Sequence, residues 1–180
     1  MTPRAILITT DRLVLKKPNK DHVPCIVRAV DDWNVVRWLS RVPFPYRELD
    51  AISFVDDSQL CFDNGTAYRF LIFYENDVVG CIGLERQKSQ HFELGYWIAR
   101  RFWGLGIGTE SVKAIIQFAF NDLGGTQIEA SCHYNNIASS KILAKSGFIH
   151  TGYGIAFSTA LGKNVREMQY LLKKDQLLST

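Results

Sequence analysis

Several features that mark known protein classes are missing from this chain of 180 residues. No apolar run approaches the roughly 20 residues that a membrane-spanning helix needs. The first residues, Met1 to Ile8, lack the longer apolar stretch and the small-residue cleavage site of a secretory signal peptide. We therefore expect a cytoplasmic protein that has no membrane partner and forms a single domain over residues 1–180.

Metal-ligand spacing and strong charge are lacking as well. The four cysteines form no Cys-x-x-Cys pair, and the four histidines are not spaced as a ligand set. The sequence therefore predicts no metal site, and the cysteines are expected to be reduced and buried. The net charge is only +3 and the basic residues form no long stripe, so no direct binding to nucleic acid is expected.

The most informative segment that is present runs from Tyr96 to Glu110 and has the pattern of a strand, a glycine-rich turn and the start of a helix. Gly104, Gly106 and Gly108 allow the backbone to bend sharply and to approach a ligand closely. The following helix start presents unpaired N–H groups and the positive end of the helix dipole, which favour an anion such as phosphate. The segment therefore predicts a site for a cofactor that carries a pyrophosphate.

The spacing of these glycines excludes two common phosphate-binding motifs. A nucleoside-triphosphate P-loop needs Lys-Ser/Thr after its last glycine, and none follows here. A dinucleotide site needs Gly-x-Gly-x-x-Gly near the start of the fold, whereas this chain has Gly-x-Gly-x-Gly past its midpoint. Arg100 and Arg101 precede the glycines and add two positive charges at the rim of the turn. A turn whose glycines are only structural remains the alternative.

The rest of the chain switches between the hydrophobic periods of strands and helices. Strands are predicted at residues 10–16, 68–74, 78–84, 92–98, 126–132, 148–157 and 165–172. Helices are predicted at about residues 19–30, 33–38, 49–62, 112–123 and 138–146. This order predicts an α/β (α+β) fold in which helices flank a mixed sheet.

Four motifs, in this order, resemble the GNAT acetyltransferase superfamily and, within it, the RimJ/RimL-like branch of ribosomal-protein N-terminal acetyltransferases. They are Arg12-Leu13-Val14-Leu15, Pro43-Phe44-Pro45-Tyr46 followed by Asp50-Ala51, Glu93-Leu94-Gly95-Tyr96-Trp97-Ile98 with the Arg100–Thr109 turn, and Asn136-Ile137-Ala138-Ser139 with Lys145-Ser146-Gly147-Phe148. The resemblance covers residues 9–173. The branch more often has alanine at Gly108, and we expect this difference to be harmless because it only removes a methyl group.

The resemblance implies a GNAT-like mixed, mostly antiparallel central sheet of about seven strands, splayed between the fourth and fifth, with acetyl-CoA as co-substrate and no metal. Pantetheine would lie in the splay, where a backbone N–H near Ile98 faces the thioester oxygen. The residues expected to bind the co-substrate are Ile98, Arg100, Arg101, Phe102, Trp103, Gly104, Gly106, Ile107, Gly108, Thr109 and Asn136. For Asn136, helix capping is an equal alternative.

The resemblance also implies that an acetyl group passes to a primary amine by direct attack in a ternary complex. Glu93 is the expected base, acting through a water, and a solvated strand glutamate is the alternative. Ser139 and Tyr134 are the candidate acids for the departing thiolate, although each can instead be an ordinary polar residue. Cys132 is expected to be a buried structural thiol rather than a nucleophile.

The amine acceptor is less well specified by the sequence. Deprotonating a lysine amine at pH 7 costs roughly 4–5 kcal/mol, whereas an α-amine costs about 1 kcal/mol. A single glutamate base therefore favours a protein N-terminal α-amine. An antibiotic, polyamine or amino-acid acceptor stays open, as does a non-catalytic acyl-CoA-binding regulator. Trp33, Trp38, Phe44 and Tyr46 fit either an acceptor pocket or core packing, and a homodimer is a further expectation from the family.

Overall fold

The computed structural model describes residues 6–177, and its centre is an eight-stranded sheet. The strands are β1 (Leu7–Thr9), β2 (Leu13–Lys16), β3 (Ala67–Tyr74), β4 (Asp77–Lys88), β5 (His91–Ile98), β6 (Gln127–His133), β7 (Ile149–Ser158) and β8 (Lys163–Lys173). They lie side by side in the order β1-β2-β3-β4-β5-β6-β8-β7. The expected mostly antiparallel sheet is confirmed. It has one strand more than the seven expected, because hydrophobic alternation does not predict the short β1.

The strands β5 and β6 run parallel, whereas the other neighbouring strands of the described sheet are antiparallel. Their register pairs residues 91–94 with residues 127–130 and then stops. β5 nevertheless continues to Ile98 and β6 continues to His133. The two strands therefore separate, and this gap is the expected splay. It lies between the fifth and sixth strands because β1 moves the count by one.

Six α-helices accompany the sheet in the described part of the chain. They are α1 (Val23–Val30), α2 (Trp33–Val36), α3 (Glu48–Asn64), α4 (Ile107–Gln117), α5 (Ile137–Lys145) and α6 (Lys174–Leu177). Short 3-10 turns, Lys20–His22 and Arg100–Phe102, precede α1 and α4, and one π-helical turn, Phe118–Asp122, extends α4. The five predicted helices are present, whereas α6 is an addition.

The two faces of the sheet bury separate apolar clusters because successive strand residues point to opposite sides. On the α4 face, Phe92, Leu94 and Ile98 of β5 pack with the apolar side of α4. On the α1–α3 face, Trp97 joins the cluster formed by α1, α2 and α3, and Glu93 and Gly95 share that face with it. The gap between β5 and β6 therefore opens onto both faces.

The structure also bears on the expectations for the cysteines and for membrane-spanning helices. Cys81 and Cys132 are buried free thiols as expected, whereas Cys25 and Cys61 are partly exposed. Over residues 6–177, no helix combines the length and the hydropathy that crossing a membrane requires.

Candidate active site

The β5 edge of the gap presents backbone N–H groups. Ala99 donates its N–H to the carbonyl oxygen of Val79 in β4, at a distance of 2.8 Å. Because N–H groups alternate in direction along a strand, those of Tyr96 and Ile98 point away from β4 and toward β6. Pairing with β6 stops at Leu94, so these two N–H groups face the gap. This orientation is the one expected at Ile98.

The β6 edge presents backbone N–H groups in the same way. The N–H of Tyr134 bonds to the carbonyl oxygen of Arg166 in β8 at 2.8 Å. The N–H groups of Ser131 and His133 therefore point to the opposite side, toward β5. An extended ligand that contains amides can hydrogen-bond to both edges and complete the sheet where the strands part.

The glycine turn joins the end of β5 to α4. Gly104 and Gly106 have φ of 79° and 78°, in the left-handed region that strains residues with a Cβ. A Cβ at Gly104 would meet no atom within 4 Å, so this position needs glycine for its conformation alone. Gly106 is the N-cap of α4. The N–H groups of Ile107 and the two residues after it therefore have no partner within the helix and form the expected anion-binding end.

Gly108 has a different role from the other two glycines. It is buried, and a Cβ added there would lie 2.8 Å from Cδ1 of Ile142 in α5 and 3.8 Å from Cγ1 of Ile98. The expectation that losing the alanine methyl group here is harmless stays a prediction. Ile142 fills the space of that methyl group, and glycine lets α4 and α5 approach each other closely.

The residues before the glycines form the rim of the turn. Arg101 places Nη2 3.3 Å from Asp77 Oδ2, and its guanidinium lies 4.7 Å from the centre of the Phe102 ring. Arg100 is exposed and has no ion-pair partner among the described residues. Arg100 is therefore the better placed of the two arginines to meet an incoming phosphate.

Trp103 fixes the turn to the end of β5. Its indole Nε1–H donates to the carbonyl oxygen of Ile98 at 2.7 Å, while the ring stays partly exposed. The carbonyl of Ile98 points to the same side of the strand as its N–H. The indole therefore borders the gap directly beside the N–H that faces it.

Arg12 also belongs to the turn, because it binds Glu110, the last residue of the segment singled out in the sequence. Glu110, in the first turn of α4, binds Arg12 through Oε2, at 2.8 Å to Nε and 2.7 Å to Nη2. It also accepts from the Thr10 hydroxyl at 2.6 Å. Burial opposes ionisation, but these hydrogen bonds outweigh it and lower the pKa of Glu110. Arg12 Nη2 lies 3.4 Å from where a Gly106 Cβ would stand, so its charge adjoins the loop.

Ser139 and Tyr96 meet on the α4 face of the gap. The Ser139 Oγ and Tyr96 Oη atoms are 2.8 Å apart, and burial raises the pKa of the Tyr96 phenol. Asn136 caps α5 by accepting from the Ser139 N–H at 3.2 Å, so the capping alternative is confirmed and its side-chain NH₂ remains for a ligand. Burial raises the pKa of Cys132 to about 11. This thiol therefore stays protonated near neutral pH and is a poor nucleophile.

Tyr134, the other candidate acid, is oriented differently. Its ring lies 5.7 Å from the ring of Tyr153, and the guanidinium of Arg166 lies 4.7 Å from its centre. These contacts direct the side chain toward β7 and β8, and Tyr134 is exposed. The structure therefore brings Ser139 together with Tyr96, which the sequence did not single out, and not with Tyr134.

Glu93 lies on the α1–α3 face, where its neighbours across β4 and β6 are Glu85 and Glu129. Its Oε2 accepts a hydrogen bond from Gln87 Nε2 at 2.9 Å. Burial is the main cause of a raised pKa, the carboxylates of Glu85, Glu129 and Glu167 add to it, and the charge of Arg41 opposes it. A raised pKa makes this carboxylate a stronger base.

The sheet next to Glu93 is open to a second ligand. Gly95 and Ser131 are exposed on opposite sides of the gap, and a Cβ at Gly95 would meet no atom within 4 Å. An acceptor therefore has access to the gap from the α1–α3 face. Across residues 6–177, no group of three or more His, Cys, Asp or Glu side chains is arranged to hold a metal ion.

The four aromatic residues considered for an acceptor pocket take different places. Tyr46 is buried in the α1–α3 core. Trp33 and Phe44 are exposed and pack edge to face at 5.2 Å. Trp38 packs on His133, with ring centroids 6.0 Å apart. Core packing is therefore confirmed for Tyr46, and Trp38 is the aromatic residue at the edge of the gap.

Comparison with known proteins agrees with this arrangement. Residues 12–149 match the acetyltransferase (GNAT) domain. The uncharacterized N-acetyltransferase p20 of Bacillus licheniformis is 28% identical over 171 residues, which cover 92% of this chain and 94% of that protein. The ribosomal-protein-serine acetyltransferase of Escherichia coli (strain K12) is 26% identical over 111 residues, covering 61% and 62%. The structure of RimL, a ribosomal alpha-N-protein acetyltransferase in complex with coenzyme A, superposes with a TM-score of 0.85 at 20% identity, covering 95% and 99%.

Proposed function

We propose that this chain, which belongs to the GNAT family of acetyltransferases and is an acyl-CoA-dependent N-acetyltransferase, acetylates the α-amine at the N-terminus of a protein. The observation that carries the proposal is the gap between β5 and β6. It joins the glycine turn and Ser139 on the α4 face to Glu93 and an open surface on the α1–α3 face. Acetyl-CoA can thus enter from one side while an amine enters from the other.

The α4 face would bind acetyl-CoA as follows. The N–H groups of Ile107, Gly108 and Thr109 meet the pyrophosphate, with Arg100 and Arg12 supplying charge beside them. The pantetheine amides bridge the two strand edges, and the NH₂ of Asn136 donates to one of their carbonyls. The Ile98 N–H then faces the thioester oxygen, where one such donor contributes on the order of 100–1,000-fold in rate.

The reaction needs three proton transfers and no covalent enzyme intermediate. Glu93, through a water, takes a proton from the ammonium of the acceptor, and the neutral amine attacks the thioester carbon. The oxyanion that forms is held by the Ile98 N–H until the C–S bond breaks. The amide nitrogen releases its remaining extra proton to water, and Ser139 Oγ–H protonates the departing thiolate. Tyr96, whose raised pKa keeps its phenol protonated, can return a proton to Ser139 through their 2.8 Å contact.

The choice of an α-amine follows from the strength of the base. Deprotonating an α-amine at pH 7 costs about 1 kcal/mol, against roughly 4–5 kcal/mol for lysine. Glu93 has a raised pKa but remains a carboxylate with partial access to solvent. It is therefore a modest base, and the difference between its pKa and that of the acceptor is smaller for an α-amine than for lysine. The named relatives, a ribosomal-protein-serine acetyltransferase and RimL, support a protein N-terminus as the acceptor.

Calorimetry with acetyl-CoA tests the first half of the proposal. We expect micromolar binding that Gly106→Trp abolishes. Gly124→Trp is the matched control because Gly124 also has a positive φ, 66°, with open space around its missing Cβ, but lies beyond the other end of α4. Loss of binding in both variants, or in neither, would contradict the assignment of the loop.

Mass spectrometry tests the acceptor. One peptide would have a free N-terminus and no lysine, and a second would have a blocked N-terminus and one lysine. We expect acetyl transfer to the first and not to the second. Transfer to lysine alone would overturn the N-terminal proposal while leaving the binding result intact.

A further inference from the structure

The α1–α3 face of the gap carries more negative charge than one reacting amine balances. Glu93, Glu129 and Glu167 lie on this face, and each accepts a hydrogen bond from a neutral donor. These donors are Gln87, Gln127 and Ser40, at 2.9, 2.8 and 3.2 Å. Within residues 6–177, no lysine or arginine nitrogen lies within 4.0 Å of any of the three carboxylates.

Arg41 and Arg69 are already matched by other carboxylates, whereas Arg37 lies 4.7 Å from the centre of the Trp38 ring and forms no ion pair with a described residue. Glu85 accepts from Arg41 Nη1 at 2.6 Å and from Arg69 Nη2 at 3.1 Å. Arg69 also pairs with Asp57 at 2.5 Å. Two guanidinium groups thus face two carboxylates. The charge of the three glutamates is therefore not cancelled by these arginines, although Arg41 still acts on Glu93 from a distance.

His133 and Glu167 are paired directly across β6 and β8. The hydrogen bond of the next pair, between Tyr134 and Arg166, makes theirs a non-hydrogen-bonded pair, whose side chains are the closest across antiparallel strands. His133 is 5% exposed and Glu167 is 8% exposed. The Nε2 atom of His133 is buried and makes no hydrogen bond to the described residues.

This pair has the properties of a cation site. A buried carboxylate with one hydroxyl partner, and a buried imidazole nitrogen with none, both cost free energy until a donor satisfies them. Burial lowers the pKa of His133, against the opposing charge of Glu167, and so favours the neutral ring. A neutral imidazole has one nitrogen that can accept a hydrogen bond. An ammonium or a guanidinium offers several donors and a charge to both groups at once.

We propose that Glu129, His133 and Glu167 form a second-charge subsite, so that the acceptor is a peptide with a cationic side chain on the residue that follows its N-terminal residue. The count of charges supports this, because an amine at Glu93 neutralises one of three carboxylates and leaves two. Glu129 is paired with Glu93 across strands that lie about 4.8 Å apart, close to the roughly 3.8 Å between adjacent peptide Cα atoms. His133 and Glu167 lie four residues, or about 13 Å, further along the strands, so only a long cationic side chain extends toward them. This inference rests on the proposed function.

The test compares three lysine-free hexapeptides that begin with Ser-Arg, Ser-Gln or Ser-Glu and are otherwise identical. We expect kcat/KM to be about tenfold higher for Ser-Arg- than for Ser-Gln-, mainly through KM, and lowest for Ser-Glu-. Glu167→Gln and Glu129→Lys should each reduce the Ser-Arg- to Ser-Gln- ratio severalfold, and Glu129→Lys should raise activity on Ser-Glu-. Asp122→Asn, an exposed carboxylate beyond α4, is the charge-matched control and should keep the wild-type ratio.

Acetyl-CoA binding verifies that each variant is folded, and exposed Glu129 provides a second test if Glu167→Gln does not fold. Equal kcat/KM on the three peptides, or a ratio that neither variant changes, would overturn the subsite and leave the proposed function standing. A parallel comparison of 1,5-diaminopentane with pentylamine separates the two proposals. Turnover of the diamine in preference to the monoamine, with no peptide acetylated, would keep the subsite and overturn the N-terminal acceptor. No turnover in either series would overturn both.

Discussion

Two glutamates, one on each face of the sheet, are held in opposite ways. Glu110 on the α4 side is surrounded by donors, with Arg12 and the Thr10 hydroxyl bound directly to it, and its pKa is lowered. Glu93 on the α1–α3 side is partly buried among other carboxylates, and its pKa is raised. The same residue type is therefore stabilised as an anion in one place and destabilised in the other.

Under the proposed function, the difference separates a binding surface from a reactive one. Around Glu110 the ion pair and hydrogen bonds tie the first turn of α4 to Thr10 and Arg12. Around Glu93 the carboxylates repel one another and raise the affinity of the site for a proton or a cation. Functional sites often keep such locally unfavourable charge because the reaction uses it.

Removing the proposed base, Glu93, should give the largest effect. Glu93→Gln keeps the size of the side chain and the hydrogen bond from Gln87, but it cannot take a proton. We expect kcat on the preferred N-terminal peptide to fall by about 10²–10³, within the range typical of a general base. Acetyl-CoA affinity, measured by calorimetry, should change little because Glu93 faces away from the α4 side.

The control for this prediction is Asp122→Asn, which removes one negative charge on the other side of the molecule and should leave kcat unchanged. A pH profile adds a second check. Wild-type kcat/KM should fall as pH drops through the raised pKa of Glu93, and this acidic limb should be missing in Glu93→Gln. An unchanged kcat would assign Glu93 to the solvated polar face of the strand.

Glu110→Gln, on the α4 side, should give a smaller effect, and that effect should be on the stability of the fold. It removes a two-pronged contact with Arg12 that is partly exposed, so the free energy of unfolding at pH 7 should drop by about 1 kcal/mol. That corresponds to about 2–4 °C in Tm for a chain of this size. Because the folded pKa of Glu110 is lowered, its contribution is complete above the usual glutamate pKa and disappears as pH falls through the folded pKa.

Asp77→Asn is the matched variant for this measurement, because the pair of Arg101 and Asp77 is longer, at 3.3 Å, and more exposed. We expect it to cost less than about 0.5 kcal/mol. If Glu110→Gln lowers the free energy of unfolding no more than Asp77→Asn does, the contact with Arg12 does not stabilise the turn.

The sequence was sufficient for features that depend on local pattern. Five of the six described helices and seven of the strands follow from hydrophobic period, and the helix start at Gly106 follows from the glycine spacing. β1 could not be found in this way, since three residues, Leu7–Thr9, give too short an alternation and are ordered by pairing with β2. The methyl-sized space at Gly108 was likewise invisible, because Ile142 fills it from another helix.

The parts of the site that the sequence missed are contacts between distant positions. Arg12 and Glu110 are 98 residues apart, and no spacing rule relates them. His133 looked like an isolated histidine because its partner, Glu167, is set by the register of β6 and β8. Tyr96 could not be identified because alternation predicts the face on which it lies, but not its contact with the Ser139 hydroxyl on α5.

The smallest predicted effect has the opposite sign to that of Glu110→Gln. A raised folded pKa means that the folded state holds the Glu93 proton more tightly than the unfolded state does. The free energy of unfolding therefore falls as pH rises from the usual glutamate pKa to the raised one, and stays lower above it. Glu93→Gln should thus raise Tm at pH 7 by about 1–2 °C and match the wild type near pH 4. Calorimetric melts at both pH values check this, and a lower Tm at pH 7 would contradict it. The variant expected to lose the most activity would then be the more stable protein, because the charge proposed to act in the reaction is the charge that the fold disfavours.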